Sequence, residues 1–203
     1  MSAKEPAARL TPTGDIGPII ELGIRLQEAA TTHDIHNVFD DGGYKELLLM
    51  TLFSLRKLGR EGDDAEDAEG RRYEIKTVAR MSSAGIRKKS LGITTEHTLT
   101  HTNIARYRKT FLWIVAVFDQ AHPEAIYEVT PDRLEPYFAK WEAELDRQEE
   151  LRTEGSAVAH INNPKIPLKF IAQVGIQIWP PADVELPEAV REGLEQTKEL
   201  EQP

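Results

Sequence analysis

An eight-residue segment sets the architecture of this chain: RYEIKTVA, residues Arg72–Ala79. Apolar and β-branched residues alternate with polar ones along it, which predicts a β-strand. Because alternate side chains of a strand share a face, Glu74 and Lys76 point the same way and Ile75 points to the other side. An acidic loop precedes the strand, and its Asp64 stands ten residues before Glu74. The loop can therefore bring Asp64 beside Glu74.

Two carboxylates beside a lysine predict a particular chemistry. Carboxylate oxygens are ligands for Mg²⁺, which keeps several waters and bridges to substrate phosphate. The set Asp64, Glu74 and Lys76 therefore indicates phosphodiester hydrolysis, in which the cation polarises a phosphoryl oxygen while Lys76 orients the attacking water or steadies negative charge. The alternative is an exposed ion pair between Glu74 and Lys76 on an edge strand, without any catalytic role.

The flanking segments predict a mixed α/β domain with a central sheet. Helices are predicted over residues 16–30, 44–58 and 131–151. Further strands are predicted over residues 111–118, 125–129 and 168–179. The segment 111–118 is almost continuously apolar, as in a strand that is covered on both faces of its sheet.

Charge is distributed unevenly along the chain. The 203 residues carry 25 Lys and Arg against 34 Asp and Glu, a formal net charge of −9. Residues 181–203 form an acidic tail, whereas residues 71–110 hold ten basic residues and two acidic ones. Since affinity for phosphate depends on local charge, the basic window keeps nucleic acid as a candidate partner.

Composition excludes two other classes of protein. The chain has no Cys, so neither disulfides nor thiol chemistry contributes to fold or function. No apolar run approaches the roughly 20 residues that cross a bilayer, and residues 1–12 lack the apolar stretch of a secretory signal. The expectation is a soluble cytoplasmic protein with no membrane partner.

Several short segments carry a family resemblance. They are GREGDDA (59–65), YEIK (73–76), IARYR (104–108), AIY (125–127) and INNPKIP (161–167). In this order and spacing they resemble the PvuII-like type II restriction endonucleases of the PD-(D/E)XK nuclease superfamily, over about residues 37–178. The resemblance implies an α/β restriction-endonuclease-like fold, with a central mixed sheet flanked by helices. It also implies a homodimer that takes double-stranded DNA as its partner and Mg²⁺, without an organic cofactor, as its metal.

The resemblance assigns the catalytic residues one by one. Asp64 and Glu74 would bind the metal together with the main-chain carbonyl of Ile75, and Lys76 would be the catalytic lysine. Tyr107 would lie near the metal waters, and Glu61 matches a further acidic position beside the site. The implied enzyme is a Mg²⁺-dependent type II site-specific deoxyribonuclease.

DNA-reading residues are carried over in the same way. They are Asp41, Thr94, Thr95, His97, Thr98, Asn162 and Asn163. An Asn amide can pair with the N6 and N7 edge of adenine in the major groove, which gives the asparagine pair a physical reason. The family has three histidines where this chain has Glu96-His97-Thr98, and its loop between positions 78 and 95 is shorter. The expected site is therefore CAGCTG cut to blunt ends, or a related palindrome.

The chain is predicted to divide into three parts. A flexible N-terminus (1–14) precedes a single endonuclease domain (15–180), and the acidic tail (181–203) follows. Within the domain, residues 15–58 would form dimerisation helices, 59–130 the catalytic core and 131–180 the recognition region. Two alternatives remain open: a structure-specific or repair nuclease of the same fold, and a non-catalytic DNA-binding protein.

Overall fold

The computed structural model describes residues 9–31, 38–39, 43–58, 62–82, 84–152 and 158–180. Its helices are α1 (Gly17–Thr31), α2 (Gly43–Phe53), α3 (His101–Tyr107), α4 (Pro131–Glu150) and α5 (Leu168–Val174). Its first strands are β1 (Arg56–Lys57), β2 (Ala65–Glu66), β3 (Arg72–Ala79), β4 (Gly92–Thr94) and β5 (Thr98–Leu99). The later strands are β6 (Leu112–Asp119), β7 (His122–Val129), β8 (Ile161–Asn162), β9 (Lys165–Pro167) and β10 (Ile176–Trp179).

A six-stranded mixed sheet lies at the centre, in the order β1-β2-β3-β6-β7-β10. Strands β3 and β6 are parallel, and the other neighbours are antiparallel. Two small antiparallel ladders, β4·β9 and β5·β8, stand apart from this sheet. The expected mixed α/β fold with a central sheet and flanking helices is confirmed.

Helices cover both faces of the sheet. Along β6, Leu112 and Ile114 belong to a core cluster shared with α1 and α2, whereas Trp113 and Val115 belong to a second cluster shared with α3, α4 and α5. Both faces of β6 are therefore buried, as its continuous apolar sequence predicts. None of the described helices is both long and apolar enough to cross a membrane.

Two predicted elements are wrong in extent or type. The segment 168–179 is a helix, α5, followed by the short strand β10, because Pro167 allows a helix to start and Gly175 ends it. The second helix stops at Phe53 rather than at residue 58, since Ser54 adopts a left-handed backbone (φ 52°) and β1 follows. Helix α3, which the sequence pattern did not predict, carries Tyr107.

Candidate active site

Strand β3 has an edge that its neighbours leave open after the first two residues. Strand β2 pairs only with Arg72 and Tyr73, while β6 runs along the opposite edge. Asp64, just before β2, is tied to this edge twice: its N–H donates to the Tyr73 carbonyl (3.1 Å), and its Oδ2 accepts from the Ile75 N–H (2.7 Å). The acidic loop is thereby folded against β3, as the spacing predicts.

Glu74 and Lys76 share the face of β3 that faces α3 and α4. Lys76 Nζ lies 2.6 Å from Glu74 Oε1. Glu74 is only 1% exposed. An exposed ion pair between Glu74 and Lys76 would leave the Glu74 carboxylate in water. The alternative of a surface ion pair without a catalytic role therefore does not describe the structure.

Burial governs the electrostatics of the two carboxyl groups. It raises the pKa of Glu74 to about 7, an effect that Lys76 opposes and Asp64 reinforces. It also raises the pKa of Asp64, opposed by Lys76 and by the Ile75 N–H. A buried carboxylate, Glu74, whose charge is disfavoured by the partly buried Asp64 forms with it a donor set that suits a hard divalent cation, because the cation neutralises both. The residues present therefore fit a divalent metal.

The raised pKa of Glu74 predicts a pH-dependent stability in metal-free protein. A carboxyl group whose pKa is higher in the folded state stabilises the fold below its unfolded pKa, and this contribution is lost as the pH rises through the folded value. Between about pH 4.5 and 7 the free energy of unfolding should therefore fall by up to roughly 3 kcal/mol from this group. Urea unfolding in EDTA at several pH values measures the loss, and Glu74→Gln should remove most of it. A pH slope equal in both proteins contradicts the prediction.

Arg106 is a site residue that sequence reasoning missed. Its Nη1 lies 3.2 Å from Glu74 Oε2 and 3.4 Å from Asp63 Oδ1, and its Nη2 lies 2.9 Å from Glu96 Oε1. Nη1 also donates to the Gly62 carbonyl. No local signal singled it out, because Tyr107 is flanked by Arg106 on one side and Arg108 on the other.

Tyr107 is fully buried beside the site and contacts Thr95 and Glu96. Its hydroxyl donates to the Thr95 carbonyl and lies 2.9 Å from Glu96 Oε1. Burial, reinforced by Glu74 and Glu96, raises its pKa well above the ordinary value. The phenol therefore stays neutral, and its contacts indicate that it positions the chain around Glu96.

Small ladders bring the predicted DNA-reading residues together. Thr98 pairs with Asn162 in β5·β8, and Thr94 pairs with Lys165 in β4·β9. His97 Nδ1 lies 3.1 Å from Asn163 Oδ1, and the Asn163 N–H donates to the His97 carbonyl (3.0 Å). The side chains of Thr94, His97, Thr98, Asn162 and Asn163 are all exposed. Residues far apart in sequence thus form one polar surface.

Thr95 differs from the rest of this set. It is 2% exposed, and its N–H and hydroxyl both point to the Pro164 carbonyl. This buried side chain links the segment after β4 to the segment before β9, and its expected DNA contact stays a prediction. Glu61 and Asp41 lie outside the described residues.

A cleft of about 620 Å³ lies at the far end of β3. Its lining includes Thr77, Ala79, Thr94, Lys88 and Lys165. Lys88 and Lys165 are both exposed. The cleft thus joins β3 to the polar surface and presents positive charge between them.

No group of three or more His, Asp or Glu side chains converges as a closed metal cage within the described ranges. Asp64 and Glu74 form a two-carboxylate site, which leaves room for other oxygen ligands.

Comparison with family models gives a match to the model described as Restriction endonuclease PvuII, over residues 16–179. The match includes α1 and most of the chain, and so extends further toward the N-terminus than the segments that carried the resemblance.

Proposed function

This chain belongs to the restriction endonuclease PvuII family, and from that premise we propose that it cuts both strands of a palindromic duplex with Asp64, Glu74 and Lys76. Membership makes it a type II restriction endonuclease with DNA as its substrate. The observation that carries the proposal is the meeting of a buried carboxylate, Glu74, with Asp64 and Lys76 on the open edge of β3. Neither a repair nuclease nor a non-catalytic binder accounts for the family match together with this set.

Restriction endonucleases generally use a divalent metal ion, and we assign Mg²⁺ to the two carboxylates. The Ile75 carbonyl is a third candidate ligand. The Tyr73 carbonyl accepts from Asp64 on the open edge of β3, and the carbonyl two residues later in a strand points to the same edge. When bound, Mg²⁺ supplies polarisation of the phosphoryl oxygen and positive charge against the developing negative charge.

Lys76 carries the part of the reaction that the chain itself performs. Its ammonium lies against Glu74 and is only partly exposed, so its donors are oriented before substrate arrives. From there it can hold the attacking water by hydrogen bonding and stabilise the negative charge that builds on the phosphate. Tyr107 and Thr95 position the segment around this site through their contacts with Glu96 and the Pro164 carbonyl.

A homodimer matches the two-fold symmetry of a palindromic site. The outer face of α1 supports this assignment, because Leu22 is 67% and Leu26 is 52% exposed one helical turn apart. Sedimentation of the full chain tests the stoichiometry. A protein that stays monomeric with and without duplex DNA contradicts it.

Plasmid digestion tests the proposed function directly. Incubation with Mg²⁺ should give discrete fragments, and sequencing of their ends should identify one palindrome, with CAGCTG and blunt ends as the proposed result. EDTA should abolish cutting. Random cuts, or cutting that EDTA leaves unchanged, would refute the proposed site-specific, metal-dependent reaction.

Salt dependence should identify the phosphate contacts in the cleft. Lys88→Gln and Lys165→Gln each remove one positive charge from its lining. Each should weaken binding to all duplex sequences alike and reduce the slope of log affinity against log salt by roughly 1 per protomer. Lys140→Gln removes the same charge from an exposed position on α4, outside the cleft, and should leave the slope unchanged. Equal slopes in all four proteins would exclude the cleft as the DNA path.

A further inference from the structure

Arg106 occupies a central place among the acidic side chains of the site. Both oxygens of Glu74 have a cationic partner: Oε1 lies 2.6 Å from Lys76 Nζ, and Oε2 lies 3.2 Å from Arg106 Nη1. A metal that uses Glu74 as a ligand must therefore compete for an oxygen that is already engaged. The guanidinium of Arg106 stays charged at all working pH values. Arg106 therefore cannot release the Glu74 oxygen by losing a proton, and it must move away from that oxygen when the metal binds.

The contacts of Arg106 indicate which partner it keeps. Its distances to Glu74 (3.2 Å) and Asp63 (3.4 Å) are longer than its distance to Glu96 (2.9 Å). Glu96 is itself held in place by the Tyr107 hydroxyl (2.9 Å). The guanidinium also lies 4.7 Å from the centre of the Tyr107 ring. Among its three carboxylate partners Arg106 therefore lies nearest to Glu96, and its Nη1, which faces Glu74, also donates to the Gly62 carbonyl.

We propose that Arg106 is the internal counter-ion of the metal site, holding Glu74 until a divalent cation enters and then remaining paired with Glu96. This inference rests on the proposed metal site at Asp64 and Glu74. It assigns Glu96 a role as well, because this carboxylate keeps the guanidinium in place when Glu74 turns to the metal. Arg106 is in this sense a positioning residue, which acts on the metal through Glu74.

Mg²⁺ binding to the full-length protein without DNA tests the inference by calorimetry, independently of cleavage. Arg106→Gln should tighten Mg²⁺ binding on the order of tenfold, since a neighbouring charge shifts such ionic equilibria by roughly 10-fold or more. Arg106→Lys keeps a positive charge and should stay near the wild-type affinity. Arg108→Gln is the matched control, because Arg108 pairs with Glu135 (2.6 Å) and Glu142 (2.8 Å) away from the site.

A second variant distinguishes competition from a purely structural role. Glu96→Gln removes the alternative partner and should weaken Mg²⁺ binding severalfold, because Arg106 then stays on Glu74. In the Arg106→Gln background the same change should have little effect, as a double-mutant cycle requires when one residue acts through the other. An undiminished effect of Glu96→Gln in that background overturns the inference.

The same titrations separate this inference from the proposed function. Asp64→Ala should abolish Mg²⁺ binding; binding unaltered by that change removes the metal site and the inference with it. If Asp64→Ala abolishes binding while Arg106→Gln binds Mg²⁺ no more tightly than wild type, the metal site stands and the counter-ion role is wrong. Should Arg106→Gln fail to fold, Glu96→Gln and Arg106→Lys carry the test, and Glu96→Gln with wild-type affinity overturns the inference.

Discussion

Lys76→Ala should lower the rate of duplex cleavage by roughly 10³-fold, the scale seen when one stabilising donor is removed from an active site. Affinity for DNA should change little, because Lys76 lies against Glu74 on β3 and acts on the attacking water and developing charge. Asp64→Ala should also abolish cleavage, through loss of a metal ligand. Single-turnover cleavage with Mg²⁺, set beside duplex affinity in EDTA, measures both effects.

The control for this prediction is Lys140→Ala, which removes the same side chain from the exposed surface of α4. It should cleave at the wild-type rate. Retained cleavage in Lys76→Ala would move the chemistry away from β3, whereas equal losses of cleavage and DNA affinity would make Lys76 a phosphate contact rather than a catalytic residue. The two measurements together therefore decide its role.

The sequence predicted the central strands well because their signals are local. Period-two alternation fixed β3 at Arg72–Ala79, and a continuous apolar run placed β6 within one residue of its observed bounds. Both signals depend only on which faces a strand buries. The same rule put Glu74 and Lys76 on one face, and their 2.6 Å contact agrees with it.

What the sequence did not predict depends on long-range contacts. The segment that forms α5 is apolar enough for a strand, but its helix begins after Pro167 and packs against β7 and β9. Arg106 was one of ten basic residues in its window, and nothing local distinguishes it from Arg108. Only the folded chain shows that one guanidinium faces Glu74 and the other faces α4.

The polar surface around His97 and Asn163 leads to the second large prediction. Asn163 has a left-handed backbone (φ 46°), and its N–H donates to the His97 carbonyl. Its amide oxygen lies 3.1 Å from His97 Nδ1, so the two side chains are presented as a unit. An amide held in this way can read a purine edge with little loss of side-chain entropy on binding.

Asn163→Gly should therefore reduce discrimination between the cleaved palindrome and random duplex by at least about 30-fold, since a lost base contact costs about 1–3 kcal/mol and occurs twice in a dimer. Glycine is the informative replacement, because it keeps the left-handed backbone without strain. Competition binding in EDTA measures specific and random affinities side by side, and Gln173→Ala, an exposed amide on α5, is the control. Affinity for random duplex should be unchanged, because phosphate contacts do not involve this amide. A variant that loses both affinities equally would make Asn163 a structural residue of the turn, and an unchanged ratio would place sequence reading on other residues.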